Sequence, residues 1–421
     1  MKRVFISVIL LWALFVPVAA QKYAGFDGVY PFDAPALTPA PKGYEPFYLS
    51  HYGRHGSRYA WQKDIYDKTK ALFDKAHRDG NLTPLGESVR ERIDELYESV
   101  RYRVGELTEK GREQEAGIAA EMSERFPGLF RQRPVVRAYG STSMRAVMSM
   151  GAFCVSLGQL HPELDIRMSQ SNVFLYKIIP DSHANPSRVE SKPGEVPYKE
   201  SVSEYGARYL DYGALLGRLF RDVSAAVPKD QEWNEIYRLY DFVEGMNSLD
   251  GRIRFDDVFT PEIEENLWKT VSYSAYRSYR LRENPYRRIV KDIVDCASER
   301  VADGKAAIDL RFGHDYVLGC LMCLMDINGM AVPPPDPDRL TEVFSTDMIP
   351  MGANLQLVFY RPRKDIRRGR PSDPDDVLVK ILLNGREVPI PSLTPETASF
   401  YRWTDLRDHL ASVYVDSALI K

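Results

Sequence analysis

Short β-type runs alternate along this chain with longer stretches of helical periodicity. "EPFYLSHYG" (45–53) reads as a buried strand running into a loop at "RHGSR". Residues 60–126 then carry a strongly charged helical pattern, with turn signals at "NLTPLGE" and "LTEKGRE". In "RPVVRAYGSTSMRAVMSMGAFCVSLGQL" (133–160) a short β-type run passes through a Ser/Thr-rich turn into an apolar helix. A further strand candidate, "NVFLYKIIP", lies within 165–180. From 181 to 300 the pattern is polar, aromatic and mostly helical, with "SHANPSRVESKPGEVP" as an exposed loop. "KAAIDLRFGHDYVLGCLMCLMDI" (305–327) repeats the order of strand, tight turn and apolar helix. "ANLQLVFYRP" and "DVLVKILLNGREVPI" close the pattern as strands, the second a hairpin turning at Asn384-Gly385.

Strands alternating with helices imply an α/β class: a mainly parallel sheet with helices on both faces, plus a helical cap region. Residues 21–180 and 300–421 form the expected core, with part of 60–126 joining the cap, and 181–299 is a mainly helical cap insertion. Residues 21–43, rich in Pro and Gly, read as an extended lead-in. Ahead of them, Lys2 and Arg3 precede the apolar run "VFISVILLWALFVPV", and Val18-Ala19-Ala20 offer small residues for cleavage. Residues 1–20 therefore read as a signal peptide, the run being short beside the roughly 20 residues of a spanning helix. The expected mature protein is exported, periplasmic or secreted, and keeps no membrane anchor.

Charge narrows the partners. The 421 residues are 44% hydrophobic and 27% charged, with a net charge of −3. No overall field draws such a chain to nucleic acid or acidic membranes, so any anion must be recognised locally. Four cysteines (Cys154, Cys296, Cys320 and Cys323) allow three full pairings in an oxidising compartment. Cys320 and Cys323 lie in an apolar helical pattern and fit buried thiols equally. No second Cys or His pair stands at zinc spacing nearby.

Three polar constellations follow the ends of β-type runs, where ligands bind in α/β sheets. In the first, Arg54, His55 and Arg58 concentrate cationic donors around an imidazole; if the loop turns into a helix there, the arginines are spaced to flank one site. Guanidinium forks suit phosphate because they make paired, charge-assisted hydrogen bonds. In the second, Ser141-Thr142-Ser143 before Arg145 resembles a helix N-cap, whose free N–H groups favour anions. The third, His314-Asp315, also opens a helix. Taken singly, each also reads as a solvated turn or a plain cap. Taken together, they match what phosphate-ester cleavage requires: a nucleophile, cationic stabilisation and a proton for the leaving alkoxide.

"RHGSR" after a strand, "STSMRAVMSMGAF" in mid-chain and "RFGHD" before a late helix resemble the histidine acid phosphatase family, which includes phytases and multiple inositol-polyphosphate phosphatases. The resemblance runs from about residue 44 onward. It implies that His55 is a nucleophile forming a phosphohistidine and that Asp315 is the proton donor. Arg54, Arg58, Arg145 and His314 would bind the transferring phosphate, with no metal and no cofactor. The implied partner is a small-molecule phosphate ester, with inositol polyphosphates such as phytate the leading substrate. A broad-specificity acid phosphatase, a sugar-phosphate phosphatase and a non-catalytic phospholigand binder are the alternatives. Tyr59-Ala60 after the first motif is closer to the inositol-polyphosphate group, whereas His314-Asp315 departs from the His-Ala-Glu common there. His51, His77, His161, His183 and His409 match no motif position and read as surface or structural.

Overall fold

The computed structural model describes residues 23–188, 193–247 and 253–415. The expected signal peptide at 1–20 and part of the 182–197 loop lie outside the described residues. Eight strands form one sheet: β1 (Tyr44–Arg54), β2 (Val135–Gly140), β3 (Ile166–Gln170), β4 (Ala307–Gly313), β5 (Asn354–Pro362), β6 (Leu378–Leu383), β7 (Arg386–Glu387) and β8 (Phe400–Arg402). Their order is β3-β2-β4-β1-β5-β6-β7, with β8 beside β6. The first four run parallel, each joined by helical crossovers. β5 turns antiparallel to β1, and β6, β7 and β8 continue in that sense. The β6–β7 hairpin turns at Asn384 (φ 50°) and Gly385 (φ 73°), the positive φ pair of a tight two-residue turn.

Alternation along the strands sorts side chains between two cores. Leu355, Leu357 and Phe359 face one and Val358 and Tyr360 the other. The first core is closed by the helices Pro261–Arg282, Arg287–Asp303, Asp315–Leu324 and Trp403–Val415. The second is closed by Glu109–Arg125 and Met144–Leu160. A third apolar cluster stands off the sheet, drawn from Lys63–Arg78, Pro84–Val100, Tyr212–Gly217 and Glu232–Asn247. Helices from 60–126 thus combine with helices from after 200. Arg287–Asp303, by contrast, lays Ile289, Val290, Ile293 and Ala297 on the sheet.

One expectation fails locally. "NVFLYKIIP" is not a strand: β3 is the preceding Ile166–Gln170, and Asn172–Lys177 is a 3₁₀ helix. The Ser171 hydroxyl accepts the Val173 N–H and starts the turn. The aromatic and β-branched content is spent on Leu175 and Ile178, both fully buried, as the chain dives beneath the sheet's end.

Candidate active site

The three loops meet because their strands are neighbours. Arg54 of β1 lies opposite Gly313 of β4, and Gly140 of β2 opposite Phe312, so all three parallel strands end at one level. His55 N–H donates to the Gly313 carbonyl at 3.2 Å and Ser141 N–H to Phe312 at 3.0 Å. The 55–57 backbone is pinned on its other side by Gly56 N–H donating to Ser149 Oγ at 3.0 Å and Ser57 N–H to Gln114 Oε1 at 2.8 Å. A Cβ on Gly56 would stand 2.4 Å from the Gly111 carbonyl oxygen, so only glycine lets the helix Glu109–Arg125 come this close. The loop does not turn into a helix. Arg54 ends β1, Arg58 bridges to Leu107, and the next helix begins at Lys63. Tertiary contacts, not helical spacing, bring the two arginines together.

His55 is 1% exposed, and its Nδ1 lies 2.9 Å from the Gly56 carbonyl. A carbonyl only accepts, so Nδ1 carries the proton and Nε2 presents a lone pair. Burial, reinforced by Arg145, Arg54, His314 and Arg58, holds the His55 pKa well below its ordinary value. The ring is therefore neutral, as an attacking nitrogen must be. His314 stands edge-on to it with ring centroids 5.6 Å apart. Burial and Arg145 bring His314 down to about 3. It is thus a neutral hydrogen-bonding group in the unliganded site, not a further cation. Arg145 Nη2 approaches its Nδ1 at 3.5 Å, and its Nε2 lies 3.1 Å from Ser141 Oγ. Ser143 does occupy the N-cap of Met144–Leu160, but its hydroxyl does not cap that helix. It turns to Ser141 Oγ at 3.0 Å, while the Ser143 carbonyl accepts the Ala146 N–H at 3.1 Å.

The arginines are held differently. Arg54 is buried, its Nη1 donating to the Phe26 and Ile349 carbonyls. Arg58 donates to the Tyr59 carbonyl at 3.3 Å. Burial and the neighbouring Arg58 lower Arg145 to about 10, still charged at neutral pH. Among the described residues, the buried Nε atoms of Arg54 and Arg145 have no acceptor, which suits an anion. Asp315 is half-buried at the first position of its helix. Burial pushes its carboxyl up, but Arg54, His314 and Arg58 outweigh burial and the net direction is down. All six residues singled out in the sequence converge here. The remaining histidines play no part in it: His51 is buried within β1, His77 pairs with Glu87, and His161 stacks on Phe130.

Sequence reasoning missed the second ring of groups. Glu115 is 2% exposed behind the 55–57 loop. Burial pushes it up to about 8 against hydrogen bonds from Ser149 and Gly56, so it is a neutral acid that braces the loop. Tyr237 and Asp241 lie within electrostatic reach of Arg58 and Asp315, and Asp27 within reach of Arg54. No motif announces them, because they come from the lead-in and from a helix off the sheet. All four cysteines are free thiols. Among the described residues no group of His, Cys, Asp and Glu is placed to hold a metal ion.

No family model matches the chain, and no curated protein matches it by sequence. Solved structures do. The multiple inositol polyphosphate phosphatase of Bifidobacterium longum, in complex with inositol hexasulfate, aligns with a TM-score of 0.71 at 18% identity, over 93% of this chain and 97% of that one. Its complex with phosphate gives 0.69 at 18% identity over 93% and 97%. The phytase from D. castellii gives 0.65 at 15% identity over 94% and 86%. These neighbours are histidine acid phosphatases, and the chain has their α/β fold.

Proposed function

We propose that this protein is an exported phosphomonoester hydrolase working through a covalent phosphohistidine. The observation that carries the reading is the His55 imidazole, neutral and tautomerically fixed by Gly56, standing among Arg54, Arg58, Arg145 and His314. In the first half-reaction Nε2 bonds to phosphorus as the bond to the leaving oxygen breaks, and Asp315 gives that oxygen its proton. The arginines hold the equatorial oxygens, and His314 positions Arg145. In the second half-reaction Asp315 takes a proton from water, whose oxygen bonds to phosphorus as the N–P bond breaks. The scheme calls on no cofactor. Arriving phosphate offsets Arg54 and Arg58, the cations that hold Asp315 ionised, so the carboxyl gains its proton with the substrate and activity favours acidic pH. A purely binding protein would need neither nucleophile nor acid.

Export rests on the N-terminal pattern; among the described residues no helix is long and apolar enough to cross a membrane. Inositol polyphosphate is the substrate class suggested by the ligand in the Bifidobacterium neighbour. The test is trapping: brief exposure to a ³²P-labelled ester, an alkaline quench and peptide mapping. Label on His55, lost in His55→Ala along with turnover of p-nitrophenyl phosphate, supports the mechanism. Label elsewhere, or substantial turnover in a folded His55→Ala protein, sinks it.

A further inference from the structure

One peptide group links the His55 ring to a side chain on a different helix. His55 Nδ1 donates to the Gly56 carbonyl at 2.9 Å, and the N–H of that same peptide, belonging to Ser57, donates to Gln114 Oε1 at 2.8 Å. The C=O and N–H of a trans peptide point in opposite directions, so Gln114 holds the group from the side away from the ring. The preceding peptide is clamped too. Gly56 N–H donates to Ser149 Oγ at 3.0 Å, and the His55 carbonyl accepts the Gly352 N–H at 3.0 Å. Glycine has a wide choice of φ and ψ, so it is these bonds that set the plane of the Gly56–Ser57 peptide.

Gln114 is 2% exposed and lies one turn along the helix Glu109–Arg125 from Gly111. Gly111 brings the helix against the loop: a Cβ there would stand 2.3 Å from the Ser57 carbonyl oxygen. Among the described residues Gln114 Nε2 has no acceptor, and Ser57 N–H is the one partner of the side chain. A buried amide hydrogen left unpaired is unfavourable, so this residue type is kept at a cost for a single bond.

Resting on the phosphatase reading above, we infer that Gln114 is the positioning residue of the nucleophile: through the Gly56–Ser57 peptide it keeps the His55 proton on Nδ1 and the lone pair on Nε2. Hydrogen bonds in series polarise one another. The Gln114 oxygen draws on the Ser57 N–H, the Gly56 oxygen becomes a stronger acceptor, and the Nδ1 proton is held more tightly. Without Gln114 the buried Ser57 N–H is unpaired, and the peptide turns to find another partner. An imidazole freed of the Gly56 carbonyl carries its proton on either nitrogen. With that proton on Nε2, the ring has no lone pair to bond to phosphorus.

The experiment uses the full-length protein labelled with ¹⁵N-histidine, and two variants. Gln114→Met keeps the length of the side chain without an acceptor. Gln114→Glu, studied at acidic pH where a buried carboxyl keeps its proton, still offers an oxygen to Ser57. The His55 signals are those lost in His55→Ala. In the wild type His55 Nε2 is expected at the shift of an unprotonated ring nitrogen. In Gln114→Met a protonated Nε2 signal appears, and kcat for p-nitrophenyl phosphate falls on the order of ten- to hundredfold, by analogy with the outer partners of metal-bound histidines. KM changes by less than about threefold, because the arginines are untouched, and Gln114→Glu keeps kcat within about threefold of wild type. An unaltered tautomer and kcat in Gln114→Met overturn the inference, as does a Gln114→Glu protein impaired as much as Gln114→Met. Should Gln114→Met fail to fold, the wild-type spectrum decides: a His55 proton on Nε2 there overturns the inference outright. Absence of p-nitrophenyl phosphate turnover in the wild type overturns the phosphatase reading instead, and the tautomer is read in either case.

Discussion

The phosphate pocket takes its groups from the ends of three adjacent strands, whereas an adjoining cleft takes its carboxylates from the 23–27 segment and the helix Glu232–Asn247, which packs off the sheet. Backbone hydrogen bonds on both sides fix the pocket's histidine loop. The helix wall of the cleft rests on the third apolar cluster, which includes Leu239, Tyr240 and Phe242, whereas Phe26 packs against the first core. The pocket is cationic and, on the proposed function, takes the phosphate group that every ester shares. The cleft is lined by Asp27, Asp241 and aromatic side chains. The two regions can therefore be perturbed separately.

The largest perturbation is His55→Ala, expected to cost about ten-thousandfold or more in kcat with the fold retained, by analogy with loss of other covalent nucleophiles. The loss should be the same for every ester; residual activity confined to one leaving group would mean that the cleft supports chemistry of its own. Next is Arg145→Ala, expected to lower kcat/KM by on the order of a hundredfold. Arg145 is the cleaner probe, because Arg54 also ties the Phe26 and Ile349 carbonyls and its removal would disturb both regions. Aryl and sugar phosphates should lose equally, and an effect limited to sugar phosphates would mean that Arg145 reads the leaving group instead.

Asp315→Asn tests where the regions join. Nitrophenolate leaves without a proton, whereas an alkoxide does not. First-turnover phosphorylation of His55 should fall at least roughly tenfold further for an alkyl phosphate than for p-nitrophenyl phosphate. Rapid-quench burst amplitudes and rates measure this, and equal losses would assign the proton to another group. The smallest effect is on stability. Burial, then Asp27, pushes Asp241 up to about 7, above the ~3.9 of an unfolded aspartate. The folded state thus holds this proton more tightly, and stability drains away as pH rises from ~4 through about 7. Asp241→Asn cannot ionise and escapes that loss. Its melting temperature relative to wild type should rise by on the order of a few degrees between acidic and alkaline buffer. A difference that shrinks with pH would show Asp241 ionised at no cost, and the cleft less acidic than described.

How far the sequence reads depends on how local each feature is. His55 and its arginines were legible because strand, loop and charged residues are contiguous, and the same holds for Arg145 and His314-Asp315. The Asn384-Gly385 turn was legible because positive φ selects those residues. "NVFLYKIIP" misled because burial under the sheet's end uses the same residue types as a strand. The neutrality of His314 was not legible, since it comes from burial and from Arg145, which lies far from it in the chain.

By itself the sequence determined the α/β alternation, the three loops that follow strand ends and the residue types standing at each, because strand period and turn chemistry are short-range properties. Only the tertiary structure decided that β1, β2 and β4 end side by side, that Gly56 fixes the His55 tautomer, and that Asp27 and Asp241 share a cleft. Those outcomes depend on which strands pair and which apolar faces are buried together, and such long-range contacts leave no periodic mark in the chain.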